Sequence, residues 1–220
     1  MTFLLLANPR TGSTMLRLAL SRHPDVLMHV LYFGGDHADW VNFQRTTGKV
    51  LGTQVYRSVD DKWIADNGQL SPGEFWSMLN HQHDRVISLR RENLLRQFLS
   101  REVAGDVPGK RESLHPREME PEPVVLRPAA LLAFVESTLG ARRTVDDVFE
   151  GRHVVWYERL VSRWEETLAG IQEYLGLLPK RIPQETYRQE TRPLRDAIGN
   201  YDEIASFLVH FGWLDWLKEE

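Results

Sequence analysis

Residues 3–7, Phe-Leu-Leu-Leu-Ala, are apolar at every position, and NPRTGST follows at once as residues 8–14. A run of that kind reads as a parallel strand buried on both faces. Thr14–Ser21, with Met15, Leu16, Leu18, Ala19 and Leu20, then reads as a helix that opens directly at the loop. Strand, Gly/Ser/Thr-rich turn and helix together aim backbone N–H groups and the positive end of a helix at one place, which suits an anion. The amides of Thr11 to Thr14 would point into the turn. Gly12 allows close approach, Ser13 and Thr14 add hydroxyl donors, and Arg10 adds a permanent cation. The bland alternative is a helix cap after a tight turn.

A nucleoside-triphosphate loop carries Lys after its last Gly, whereas Ser13 follows Gly12 here. No acidic partner for magnesium stands out either. The expectation is an anion bound without a metal.

Further strands are expected at Val50–Tyr56, Arg85–Leu89 and His153–Trp156, and helices at Glu92–Arg101, Pro128–Leu139 and Arg159–Leu175. SPGEFWSMLN begins a helix with Ser71 as N-cap and Pro72 in the first turn. The last segment, NYDEIASFLVHFGWLDWL, is helical from an Asn200 cap to a break near Gly212. Strands alternating with helices predict an α/β fold, a parallel sheet covered on both faces. The 220 residues read as one domain, 1–220, with an irregular insertion at about 105–128 that holds five prolines.

Net charge is −4, so the surface as a whole is no polyanion binder, and no nucleic-acid partner is expected. The absence of cysteine excludes disulfides, thiolate metal sites and a thiol nucleophile. His81 and His83 in NHQHD lack the spacing and carboxylate of a metal pair and read as a solvated loop. No apolar stretch approaches the roughly 20 residues of a membrane span, and no secretory signal is visible, so a cytoplasmic protein is expected.

The second basic signal is RVISLRRENLLRQFLSR, residues 85–101, where five arginines face one glutamate. A strand ends there, and Arg90 and Arg91 stand at its carboxyl end, where ligands of open parallel sheets bind. Arg96 and Arg101 read as a solvated face.

Together, PRTGSTML and this strand–Arg–helix–Ser stretch resemble the cofactor elements of the PAPS-dependent sulfotransferases, of bacterial and carbohydrate type. HVVWYERLVSRWEETLAGIQEYLGL, residues 153–177, is similar to that family's strand, "YE-x-L" and amphipathic helix, and RPLRDAIGNYDEI, residues 192–204, to its C-terminal segment. The four matches come in the family's order. The resemblance implies a three-layer P-loop-like α/β fold. It also implies transfer of a sulfuryl group from 3′-phosphoadenosine 5′-phosphosulfate (PAPS) to a carbohydrate, glycolipid or small-metabolite hydroxyl, leaving PAP and needing no metal. On that resemblance Arg10, Thr11, Gly12, Ser13 and Thr14 hold the 5′-phosphosulfate. Arg90 and Arg91 lie at the nucleotide, Arg91 and Ser100 taking the 3′-phosphate. Arg188, Arg192 or Arg195 closes over it.

Two departures stand out. The acceptor hydroxyl needs a general base, and the Glu of the family's "GE" pair is missing; His29-Val30 stands in its place. His29 is the candidate base, with His37 and Asp36 next. Gln54 in GTQVY stands where many members carry Lys.

Overall fold

A computed structural model of the chain describes residues 1–30, 49–56, 71–104, 122–184 and 192–218. These residues divide into two compact units, Met1–Arg90 with Ala141–Thr186, and Arg91–Gly140 with Tyr187–Glu220.

The first unit is built on one parallel sheet. Its strands are β1 (Thr2–Ala7), β2 (Val26–Val30), β3 (Val50–Tyr56), β4 (Arg85–Arg90) and β5 (His153–Trp156), in the spatial order β2-β3-β1-β4-β5. Every pairing is parallel: Phe3 stands opposite Gly52 and Arg85, Leu5 opposite Gln54 and Ile87, and Met28 opposite Gly52. β1 lies at the centre, which is why it is apolar on both sides. β2 was not anticipated from the sequence. Its VLMHV is short, and only the pairing with β3 makes a strand of it.

Each face of this sheet carries its own core. Phe3, Leu5, Ala7, Ile87 and Leu89 pack under helix α1 (Ser13–Ser21) and under α5 (Tyr157–Ser162) and α6 (Trp164–Tyr174), through Leu16, Leu20, Leu160 and Ile171. On the other face Leu4, Leu6, Val55 and Val86 meet Trp76 and Leu79 of α2 (Pro72–Gln82), and Val145 and Phe149 near the end of α4 (Pro128–Val148). Helices on both faces of a parallel sheet make the three-layer α/β architecture that the alternation of elements implied.

α2 starts as expected: Ser71 and Glu74 form a reciprocal capping box, with Pro72 in the first turn. Three elements differ from the sequence reading. α4 runs on past Leu139 to Val148, because Val145 and Phe149 are held in the core. The single helix expected over Arg159–Leu175 is two, broken at Arg163 (φ −132°, ψ 52°), where Trp164 turns inward and donates its indole N–H to the Ile182 carbonyl at 2.7 Å. His83 is no solvated loop residue: it is buried, with Nδ1 on the Leu79 carbonyl at 2.8 Å.

The second unit has a helical core. α3 (Leu94–Ala104), the first turns of α4, α7 (Leu194–Ala197) and α8 (Tyr201–His210) bury Leu95, Phe98, Leu99, Leu131, Leu194 and Ile204 against one another. Asn200 precedes α8 as expected; its carboxamide is also bonded to both the N–H and the C=O of Leu126. Among the described residues no helix is long and apolar enough to cross a membrane. Residues 105–121 of the proline-rich stretch lie outside the described residues.

Candidate anion-binding site

The loop from Asn8 to Gly12 springs from the carboxyl end of the central strand and turns directly into α1. Two of its residues have left-handed backbone, Arg10 at φ 66° and Gly12 at φ 81°. A residue with a Cβ adopts that conformation at a cost of about 1–2 kcal/mol, so the surroundings must enforce it at Arg10. Gly12 is the N-cap of α1 and, having no side chain, makes no side-chain cap hydrogen bond. The first amides of a helix have no partner within it, so the start of α1 presents donors and partial positive charge at the loop.

Thr11 and Ser13 are buried and Thr14 is exposed. The Thr11 hydroxyl donates to the Asn8 carbonyl at 2.7 Å, so it closes the loop upon itself. The ring of Tyr157, from the "YE-x-L" stretch, lies against Gly12: a Cβ there would stand 2.7 Å from Cδ2 and 2.9 Å from Cε2 of the ring.

Beside the loop, the end of β4 turns Ser88 and Arg90 to the α4 face. Arg90 donates from Nε to Ser88 Oγ at 3.0 Å and through both terminal nitrogens to the Asp146 carboxylate, one of them at 3.3 Å. Arg152 binds the same carboxylate and the carbonyls of Asp146 and Phe149 at 3.1 and 3.0 Å. The Arg90 hydrogen bond is the main force holding the Asp146 carboxyl below its ordinary range. Partial burial opposes that shift, and the charges of Arg90 and Arg152 reinforce it. A small cleft opens here, walled by Asn8, Thr11, Ser88, Arg90, Arg142 and Val145. Arg142 also lies over the Trp156 ring, 5.6 Å from its centroid.

In the second unit Arg91 is buried just ahead of α3, and Ser100 is half-buried on that helix. Asn93 caps α3 by accepting from the Arg96 amide at 2.9 Å, and its Nδ2 donates to the Trp216 carbonyl at 3.0 Å. Arg96 is buried rather than solvated, and donates to the Arg192 carbonyl at 2.9 Å. That bond ties the C-terminal segment to the helix that carries Ser100. Arg195 is 70% exposed, ion-paired to Asp202 at 3.6 Å and stacked over Tyr201.

The structure therefore gathers Arg10, Thr11, Gly12, Ser13, Thr14 and Arg90 in one unit and Arg91, Ser100, Arg192 and Arg195 in the other. The backbone of His29 lies in β2, opposite Thr53. Its side chain, with Asp36, His37 and Arg188, lies outside the described residues. The sequence reading missed Ser88, Arg142, Asp146 and Arg152. Ser88 and Arg90 could have been paired by their i, i+2 spacing on a strand. Asp146 had no signal, because its meaning depends on which strand end its helix covers.

No protein-family model matches the chain. Nodulation protein H of Rhizobium meliloti (strain 1021) is 26% identical over 230 residues, covering 95% of this chain and 90% of that protein. The crystal structure of a sulfotransferase from Alicyclobacillus acidocaldarius has the same fold, with a TM-score of 0.56 and 15% identity over 99% of this chain and 96% of the other. Motifs and fold therefore point to one family, and the chain resembles the sulfotransferases along nearly its whole length.

Proposed function

We propose that the chain is a PAPS-dependent sulfotransferase that moves a sulfuryl group to a hydroxyl of a carbohydrate, glycolipid or small-metabolite acceptor and releases PAP. The observation that carries this reading is the loop: left-handed Arg10 and Gly12 lead straight into α1, whose N-cap, Gly12, has no side chain to cap it. Such a cradle suits a diffuse anionic charge, and its donors need no metal to act. The family resemblance supplies which anion.

In the reaction the acceptor oxygen forms the new S–O bond. The bond from sulfur to the oxygen of the 5′-phosphate breaks, and its electron pair stays on that oxygen. The hydroxyl proton passes to a base, for which His29 is the candidate, with His37 and Asp36 next. Arg10 and the amides of Thr11 to Thr14 stabilise the charge that builds on the leaving phosphate. Arg91 and Ser100 hold the 3′-phosphate. Arg188, Arg192 or Arg195 closes over the nucleotide; Arg192 is tethered through its carbonyl to Arg96, and Arg195 is engaged with Asp202 and Tyr201. Arg90, held by Asp146 and Ser88, serves the ligand as a fixed wall of the cleft.

Calorimetric titration with PAP, and separately with ATP plus magnesium, tests the reading. Metal-independent PAP binding with weak ATP binding supports it. Magnesium-dependent ATP binding with PAP ignored would replace it with a nucleotide or small-molecule kinase. PAP binding without turnover on any acceptor would leave a PAP-binding module.

A further inference from the structure

On the face of the sheet that meets α4, β1 and β4 present hydrocarbon: Leu4, Leu6 and Val86 are buried in one core with Val145 of that helix. Ser88 follows Val86 by two residues and stands opposite Leu6, so it belongs to the same face. It is 4% exposed, a hydroxyl where its neighbours are apolar. Its Oγ accepts from Arg90 Nε at 3.0 Å, and its own O–H proton has no acceptor among the described residues. A buried hydroxyl of that kind is an unspent donor.

Arg90 is 9% exposed and has donors to spare as well. A guanidinium carries five N–H groups. Arg90 spends Nε–H on Ser88 and one N–H of each terminal nitrogen on Asp146, and two remain without an acceptor among the described residues. Ser88 and Arg90 line the cleft that Asn8 and Thr11 wall at the start of the loop, and no described Asp or Glu lines it. Asp146 therefore stands behind the guanidinium. Its carboxylate is held in turn by Arg152, which also grips the Asp146 and Phe149 carbonyls at the end of α4. An unbroken series of bonds thus runs from the helix end through Arg152, Asp146 and Arg90 to Ser88. On charge alone a carboxylate here opposes an anionic ligand, so what it offers the site is geometry.

We propose that Asp146 is a positioning residue for nucleotide binding: it fixes Arg90 so that the remaining guanidinium N–H groups and the Ser88 hydroxyl stand in the cleft as donors to an anionic oxygen. The inference rests on the sulfotransferase reading above. A long side chain held beforehand loses less freedom when the ligand arrives, and that gain outweighs the repulsion from a carboxylate shared by two arginines.

The sign of one change tests this. Calorimetry gives Kd for PAP with the full-length chain, Asp146→Asn, Arg90→Ala and the double variant, at a temperature where each is folded. Asp146→Asn should weaken PAP about fivefold or more, the scale of a disturbed hydrogen bond to a charged group, although the variant is the more positive protein. In the Arg90→Ala background the same change should leave PAP affinity unmoved or slightly tighter, because nothing is left to position. Ser88→Ala keeps the ion pair, should weaken PAP by a similar factor, and keeps the inference testable if an Asp146 or Arg90 variant folds poorly. Tighter binding by Asp146→Asn overturns the inference, since the carboxylate would then act on the ligand by charge alone. Equal losses with and without Arg90 overturn it too, as the mark of a structural role, and so does unchanged affinity in Ser88→Ala. A wild-type protein that does not bind PAP overturns the sulfotransferase reading itself, and the inference with it.

Discussion

The ring of Tyr157 closes over Gly12, so the loop conformation is fixed from two sides: a backbone at φ 81° that favours glycine, and an aromatic edge 2.7 Å from where a Cβ would stand. Gly12→Ala should therefore cost about 2–4 kcal/mol, the sum of backbone strain and overpacking. In a Tyr157→Leu background the same change should cost only the backbone part, about 1 kcal/mol. Urea unfolding of the four proteins in the cycle measures both. Equal penalties in the two backgrounds would mean that the ring does not constrain the loop.

Arg10 presents the opposite balance, since its φ of 66° is strained for a residue with a side chain. Arg10→Gly should leave stability unchanged or raise it by up to about 1 kcal/mol. PAP affinity should nonetheless fall at least about tenfold, because a charge-assisted contact is lost. A large loss of stability would show instead that the guanidinium is structural.

Asp146 holds two arginines, so Asp146→Asn should destabilise the protein by about 1–2 kcal/mol near neutral pH. That is less than for a fully buried pair, since 35% of its side chain is exposed. The carboxyl is held below its unfolded value of 3.8, chiefly by the Arg90 hydrogen bond. Its contribution is therefore complete above that pH and is lost as pH falls through the lower folded value. The gap between wild type and Asp146→Asn in denaturant unfolding should shrink from about pH 5 toward about pH 2. A gap that is constant across that range would rule out the ionised carboxylate as its source.

Arg91→Ala should weaken PAP and PAPS about tenfold or more, yet barely affect adenosine 5′-phosphosulfate, which lacks the 3′-phosphate. Equal losses for all three nucleotides, read by titration, would remove Arg91 from that role.

His29→Ala should leave PAP affinity intact while turnover falls by about 100-fold or more, the range of a lost general base. Unchanged turnover would move the base to His37 or Asp36.

Much of the first unit was legible in the sequence because its signals are local. An apolar run, a Gly-bearing turn and a helix pattern are set by neighbours in the chain, and β1, the loop, α1, β3 and β4 fall where those patterns put them. The Ser71–Glu74 capping box is local in the same way. β2 was not legible, since a run of five residues, broken by His29, becomes a strand only when β3 offers a ladder. The extension of α4 and the break at Arg163 escaped notice because core contacts, not helix propensity, decide them.

For the candidate site, the sequence by itself determined the chemistry on offer: an anion loop without the Lys of a triphosphate site, and arginines just beyond a strand. Only the tertiary structure decided how those groups are used. Arg90 is engaged by Asp146 and Ser88, Arg96 holds the Arg192 carbonyl, and Tyr157 presses on Gly12. Each of these joins residues from different stretches of chain, and such pairings depend on strand order and helix placement. A guanidinium or an amide looks the same in sequence whether it meets a ligand, a carboxylate or nothing. Burial and geometry separate those cases, because a buried polar group must find a partner or bear the cost of having none.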